Sequence, residues 1–165
     1  MGRWKPPPPS SSKYITPQGK KALDEELDFL WRRKRPEVTK ALSDAAAEGD
    51  RSENAEYIYR KKQLREIDAR VRFLRKRLEN MTVVDTVPDN TDRIFFGAWV
   101  TVENEQGEEL KYRIVGPDET DFKNNLISMD SPLGKALMGK QLDAEVEVET
   151  PQGKQVLFII QIDYE

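Results

Sequence analysis

The chain has no cysteine and no histidine. The first absence excludes disulfide staples, thiol catalysis and thiolate metal sites, and the second removes the commonest metal ligand and the usual acid–base group near neutral pH. Any chemistry must therefore run on carboxylates, on basic groups, or on groups supplied by a partner. Long apolar runs are missing too. No stretch approaches the roughly 18 to 20 residues that span a bilayer, and the start, MGRWKPPPPSSSKY, lacks the apolar core of a signal peptide, so a soluble, cytoplasmic protein with no membrane partner is expected. With 37% hydrophobic against 35% charged residues in a chain of 165, little material is left for one deep core. Two modest modules fit better.

A formal charge of -3 conceals two halves of opposite sign. Residues 1–80 hold 20 Lys+Arg against 13 Asp+Glu, whereas residues 81–165 hold 7 against 17. Such halves are expected to face different partners.

Residues 1–15, with the run Pro6 to Pro9 and three serines, read as a disordered tail. Thr16-Pro17 then reads as a helix start, Thr16 as N-cap and Pro17 in the first turn. From there Leu23, Leu27, Leu30, Val38, Ala41 and Ala45 recur at helical spacing with Lys34 at the one polar position, and Pro36 is expected to kink the helix. Tyr57, Arg60, Leu64, Ile67, Val71, Leu74, Leu78 and Met81 follow a 3,4 spacing, which is a heptad seam. Two narrow stripes joined near Gly49 predict an antiparallel coiled-coil hairpin over residues 16–81, a rod roughly 45 Å long at 1.5 Å per residue.

After Met81 the pattern changes to short β-like runs at Ala98 to Val102, Leu110 to Val115, Leu126 to Met129, Ala144 to Val148 and Val156 to Ile162, with turn chemistry at Glu105-Gln106-Gly107 and Pro151-Gln152-Gly153. Ser131-Pro132 followed by LGKALMG predicts one short helix. Residues 82–165 therefore read as a compact α+β domain on an antiparallel sheet.

The segment EGDRSENAEY, near residues 48–57, falls at the hairpin tip. Asp50 and Glu53 are three apart, so a helix beginning there would carry both carboxylates on one side of its first turn. They are hard oxygen donors suited to Mg²⁺, yet two alone make no strong site, so the pattern suits completion of an ion site that another macromolecule already holds. Asp50-Arg51-Ser52-Glu53 equally resembles a capping box. Capping accounts for one or two acids, whereas the tip carries Asp44, Glu48, Asp50, Glu53 and Glu56 against one Arg51. Behind it, Arg60, Lys61, Lys62 and Arg65 are candidates for contact with nucleic-acid phosphates or a channel wall, and Lys61, Arg65, Arg72 and Lys76 form one basic flank. The alternative for that flank is a solvated face that keeps a coiled coil soluble.

The tip GDRSENAEY, the preceding RRKRPEVTKAL, the stretch QLREIDARVRFLRKRLEN, and the later FFGAWVTVEN, YRIVG and SMDSPLGKAL together resemble the Gre family of bacterial transcript-cleavage elongation factors, the B type more than the A type. The resemblance runs from about Tyr14 to the C-terminus. It implies a coiled-coil hairpin followed by an FKBP-like domain that docks on DNA-directed RNA polymerase, with the hairpin passing down the secondary channel. It also implies that Asp50 and Glu53 help hold the second Mg²⁺ of the polymerase active site for hydrolysis of backtracked nascent RNA. The chain would then be no enzyme and have no cofactor of its own, and a monomer is expected. Ser52 is a lesser candidate for water or tip contacts, and Asn54 with Tyr57 is expected to fix the turn. Asp130, Ser131, Pro132 and Leu133 form a family-like segment that either presents an apolar patch to the polymerase or simply opens the short helix. Two alternatives remain at this stage: a channel-binding regulator or inhibitor without cleavage activity, and a coiled-coil adaptor or prolyl isomerase with a decorative tip.

Overall fold

A computed structural model describes residues 11–49 and 53–164, and these divide into two units, residues 20–80 and residues 11–19 with 81–164.

The first unit is the helical hairpin. Helix α1 (Pro17–Phe29), a π-helical turn (Leu30–Lys34) and helix α2 (Arg35–Ala46) run out to the tip, and helix α3 (Ala55–Asn80) returns. Val38, Ile67 and Val71 are buried along the seam, with Leu27, Leu30 and Leu64 half-buried against them. The helices run antiparallel, because the pairs between them recede from the tip in step. Asn54 reaches the Ala45 carbonyl, Arg35 Nε meets Asp68 Oδ1 at 2.8 Å, and Arg70 holds the Glu26 carboxylate through two bonds of 2.9 Å. The expected kink takes a specific form. Pro36 has no N–H to give and its ring would crowd the carbonyl one turn back. The helix widens just before it, the Arg35 N–H donating to the Leu30 carbonyl five residues earlier.

The second unit is a five-stranded sheet in the order β5-β4-β3-β7-β6, formed by β3 (Trp99–Glu103), β4 (Glu109–Val115), β5 (Leu126–Ser128), β6 (Glu145–Thr150) and β7 (Gly153–Asp163), with the short helix α4 (Pro132–Leu137) packed against its buried face. Val100, Val102, Ile114, Val146, Val148, Leu157 and Ile159 point inward at alternate positions and meet Leu137 of α4. The architecture is α+β, as expected, but the sheet is mixed. β5 pairs parallel with β4, because residues 116–125 carry the chain back across the sheet end through two tight turns before β5 begins.

The last residues of the segment read as tail are ordered. Strand β1 (Tyr14–Ile15) pairs parallel with β2 (Thr82–Val83), and Ile15 is fully buried. The Thr16 hydroxyl accepts from the Gly19 N–H at 3.1 Å, capping α1, and donates to Glu119. The Glu119 carboxylate also accepts from the Thr16 N–H at 2.8 Å and the Gly116 N–H at 2.9 Å. Composition alone argued for disorder, and burial of one isoleucine with saturation of one carboxylate outweighs it locally. No helix among the described residues is long and apolar enough to cross a membrane.

Candidate functional site at the hairpin tip

Helix α2 ends at Ala46, and the chain turns through Gly49 at a φ of 133°, a conformation that costs a glycine nothing. Asp50, Arg51 and Ser52 lie outside the described residues, so the expectations for Asp50 and Ser52 rest on the sequence. Helix α3 begins at Ala55, later than a capping box from Asp50 to Glu53 requires. Its N-cap is Asn54. The Asn54 Oδ1 accepts from the Tyr57 N–H at 3.1 Å, while Nδ2 donates to the Ala45 carbonyl at 2.7 Å, so one amide caps the returning helix and ties it to the outgoing one. The turn is tied by the Asn54 side chain, as the sequence suggested, with Tyr57 contributing its backbone N–H.

Glu53 precedes that cap. It is exposed, stands off the helix rather than in its first turn, and accepts no hydrogen bond or ion pair among the described residues. Asp44 and Glu48 are exposed as well. Glu56 differs, because its Oε1 is held by the Arg60 Nε at 2.8 Å. No group of three or more carboxylates is placed to hold a metal among the described residues.

The basic residues behind the tip separate into two kinds. Arg60 is engaged by its own helix: beside the Glu56 bond, an Nη donates to Gln63 Oε1 at 3.0 Å, and only 27% of the side chain is exposed. The hydrogen bond to Glu56 pushes its guanidinium above the ordinary value, against the opposing cost of burial. Lys61, Lys62 and Arg65 are exposed, Lys61 with its ammonium 5.9 Å from the Tyr57 ring centre, and Arg72 and Lys76 continue the same open flank.

In the second unit the Asp130 to Leu133 segment does structural work. Asp130 accepts from the Ser12 N–H at 2.8 Å and from the Ser12 hydroxyl. Ser131 Oγ caps α4 by accepting from the Gly134 N–H at 3.0 Å and donates to the Ser128 carbonyl at 2.6 Å. Leu133 packs on the core, and Pro132 alone of the four is exposed. Sequence reasoning passed over Phe122, whose side chain at 83% exposure is the most open of the large apolar residues described. An aromatic set among Asp121, Lys123, Asn124 and Asn125, outside any periodic apolar pattern, was the available signal.

An antiparallel helical hairpin with exposed carboxylates at its turn and exposed basic residues along α3, in one chain with a small five-stranded sheet unit, defines a two-module class of protein. Comparison with known proteins is consistent along the whole length. Residues 13–83 match the family described as "Transcription elongation factor, N-terminal", and residues 88–164 match "Transcription elongation factor, GreA/GreB, C-term". The chain is 60% identical over 164 residues to the transcription elongation factor GreB of Pseudomonas aeruginosa, covering 99% of this chain and 98% of that one. It is 61% identical over 156 residues to the GreB of Pasteurella multocida, covering 94% and 99%. A solved structure of a GreA factor homolog from Thermus thermophilus aligns over 91% of this chain and 97% of that one at 25% identity, with a TM-score of 0.41. The chain belongs to the GreA/GreB family of transcription elongation factors.

Proposed function

We propose that this elongation factor, acting in the cytoplasm, places its hairpin in the secondary channel of RNA polymerase and stimulates hydrolytic cleavage of backtracked nascent RNA. In this reading Asp50 and Glu53 supply carboxylate oxygens to a Mg²⁺ of the polymerase active site, and the polymerase remains the enzyme. The donor chemistry fits, since exposed carboxylates are ligands of the right hardness, and a pair is too few to hold the ion unaided. Such an ion, once bound, activates water and steadies the leaving oxygen in a phosphodiester displacement.

The supporting observation is the division of labour at the tip. Asn54 caps α3, so helix capping does not account for Glu53, which stands exposed ahead of the cap. The tie from Asn54 to Ala45 holds the turn that carries it, which lowers the entropy to be lost when the carboxylate meets an ion. Lys61, Lys62 and Arg65, exposed within about three turns of the tip, are proposed to steady the RNA phosphates or the channel wall. Arg60 acts through Glu56, holding that carboxylate on the helix.

The test is RNA shortening in purified stalled elongation complexes, run beside a polymerase-binding measurement. Asp50→Asn and Glu53→Gln are expected to lose stimulated shortening while binding stays near wild type. Wild-type binding without any shortening would instead make the chain a channel-binding regulator.

A further inference from the structure

Tyr59 is 57% exposed at the start of the second turn of α3, yet its ring is backed rather than loose. The Arg60 guanidinium lies 5.5 Å from the ring centre. That guanidinium is itself fixed, Nε donating to Glu56 Oε1 at 2.8 Å and an Nη to Gln63 Oε1 at 3.0 Å. Glu56, Arg60 and Gln63 thus support the ring while over half of the residue stays open to solvent. An aromatic side chain has few torsions, and one already resting on a tethered cation loses little freedom when a flat group closes on it.

The surroundings fit a nucleobase. Residues 57–65, YIYRKKQLR, hold Arg60, Lys61, Lys62 and Arg65 and no acid. The acids that bound this stretch are Glu56, whose carboxylate is engaged by Arg60, and Glu66, about 10 Å along the axis from Tyr59. Lys62, three residues on from Tyr59 and exposed, is its neighbour on the helix surface. Aromatic rings interleaved with exposed cations form the pattern that holds single-stranded nucleic acid, the rings taking bases and the cations phosphates. An apolar protein wall fits less well, because it would take Lys61 and Lys62 out of water with no counter-charge. Position agrees with this. Each Cβ of a helix tilts toward its N-terminus, which for α3 is the tip, so Tyr59, about 6 Å along the axis from Ala55, leans toward the turn that carries Glu53.

We infer that Tyr59 is a stacking platform for a nucleobase of the displaced 3′ segment of the RNA, setting the strand so that the phosphodiester beside that base lies at the tip carboxylates. Arg60 is the positioning residue for the ring. The inference rests on the proposed function for the identity of the nucleic acid, and it gives the bases of the strand, rather than its phosphates alone, a partner on this chain.

The experiment uses the full-length chain with stalled, backtracked RNA polymerase complexes whose displaced 3′ segment carries 2-aminopurine, a base whose fluorescence is quenched by stacking. With Ca²⁺ in place of Mg²⁺ to keep the RNA intact, wild type and Tyr59→Phe are expected to quench the probe and Tyr59→Leu to leave it bright. With Mg²⁺ and saturating protein, Tyr59→Leu is expected to shorten RNA about tenfold more slowly than wild type, while Tyr59→Phe, which keeps the ring, retains most of the rate. The polymerase affinity and melting curve of Tyr59→Leu should match wild type. Quenching by Tyr59→Leu equal to that of wild type overturns the inference, as does undiminished shortening, or a Tyr59→Phe as slow as Tyr59→Leu. A fall in polymerase affinity that accounts for the loss assigns the ring to a protein wall and overturns it too, and so does a loss that tracks a lowered melting temperature. A wild type that fails to stimulate shortening removes the proposed function, whereas wild-type shortening that Tyr59→Leu leaves untouched removes the inference alone.

Discussion

Asn54→Ala removes both of the side-chain bonds that organise the tip. Removing an asparagine N-cap costs about 1 kcal/mol, and losing the cross-hairpin bond to the Ala45 carbonyl costs about another 1 kcal/mol. Together these amount to about 2 kcal/mol, which at 1.36 kcal/mol per factor of ten is roughly a thirtyfold rise in the open population of the tip. Amide hydrogen exchange reads this directly. The Tyr57 and Ile58 amides, bonded respectively to the Asn54 side chain and its carbonyl, are expected to lose protection by about that factor, while Ile67, Val71 and Leu74 keep theirs. Asn54→Asp is the informative companion. It keeps an acceptor for Tyr57, improved by the helix dipole, but sets a carboxylate against the Ala45 carbonyl, so the cap survives and the tie to α2 does not. Stimulated RNA cleavage should fall in Asn54→Ala although no proposed metal ligand has been touched. Equal Tyr57 protection in Asn54→Ala and wild type would refute the assignment of Asn54 as the organiser of the turn.

Val38 is fully buried in the hairpin seam, so Val38→Ala should cost roughly 2 kcal/mol through two lost methyls and the cavity they leave, seen as a lower urea midpoint by circular dichroism. At Gly116 an added Cβ would sit 2.0 Å from the Tyr14 carbonyl oxygen, so Gly116→Ala should expel β1 and abolish exchange protection at the Thr82 and Val84 amides, which bond to Lys13 and Ile15. Burial raises the Tyr164 hydroxyl above its ordinary value, the bond from the Phe95 N–H opposing it only in part. A raised folded value means that the contribution to stability is complete below the unfolded value of about 10 and is lost as pH climbs past it. Wild type should therefore destabilise above about pH 10 more steeply than Tyr164→Phe, in melting curves taken from pH 8 to 11.

The hairpin was legible because its seam is a spacing, and spacing survives in the sequence whatever the partner helix does: Val38, Ala45, Ile67, Val71 and Leu74 are all buried where the 3,4 pattern set them. The strands of the second unit were legible for the same reason at period two. The form of the break at Pro36 was not, since a missing N–H requires an irregularity without choosing between a bend and a widened turn. β1 was hidden because two residues carry no alternation and their partner lies far along the chain. The start of α3 was ambiguous locally, as Asp50, Ser52 and Asn54 are all good N-caps, and the choice is made by the Ala45 carbonyl, which only the paired hairpin brings within reach. The Ser131 cap on the Gly134 N–H is local and legible as a helix opening, whereas the engagement of Asp130 by Ser12 depends on tertiary placement.

The most direct test of the tip's role is a Mg²⁺ titration of RNA shortening in stalled polymerase complexes saturated with wild type or Glu53→Gln. If Glu53 supplies oxygen to the ion, the variant will require a higher Mg²⁺ concentration for half-maximal cleavage, and excess Mg²⁺ will restore part of the rate. Superimposable titration curves for the two proteins would contradict the account.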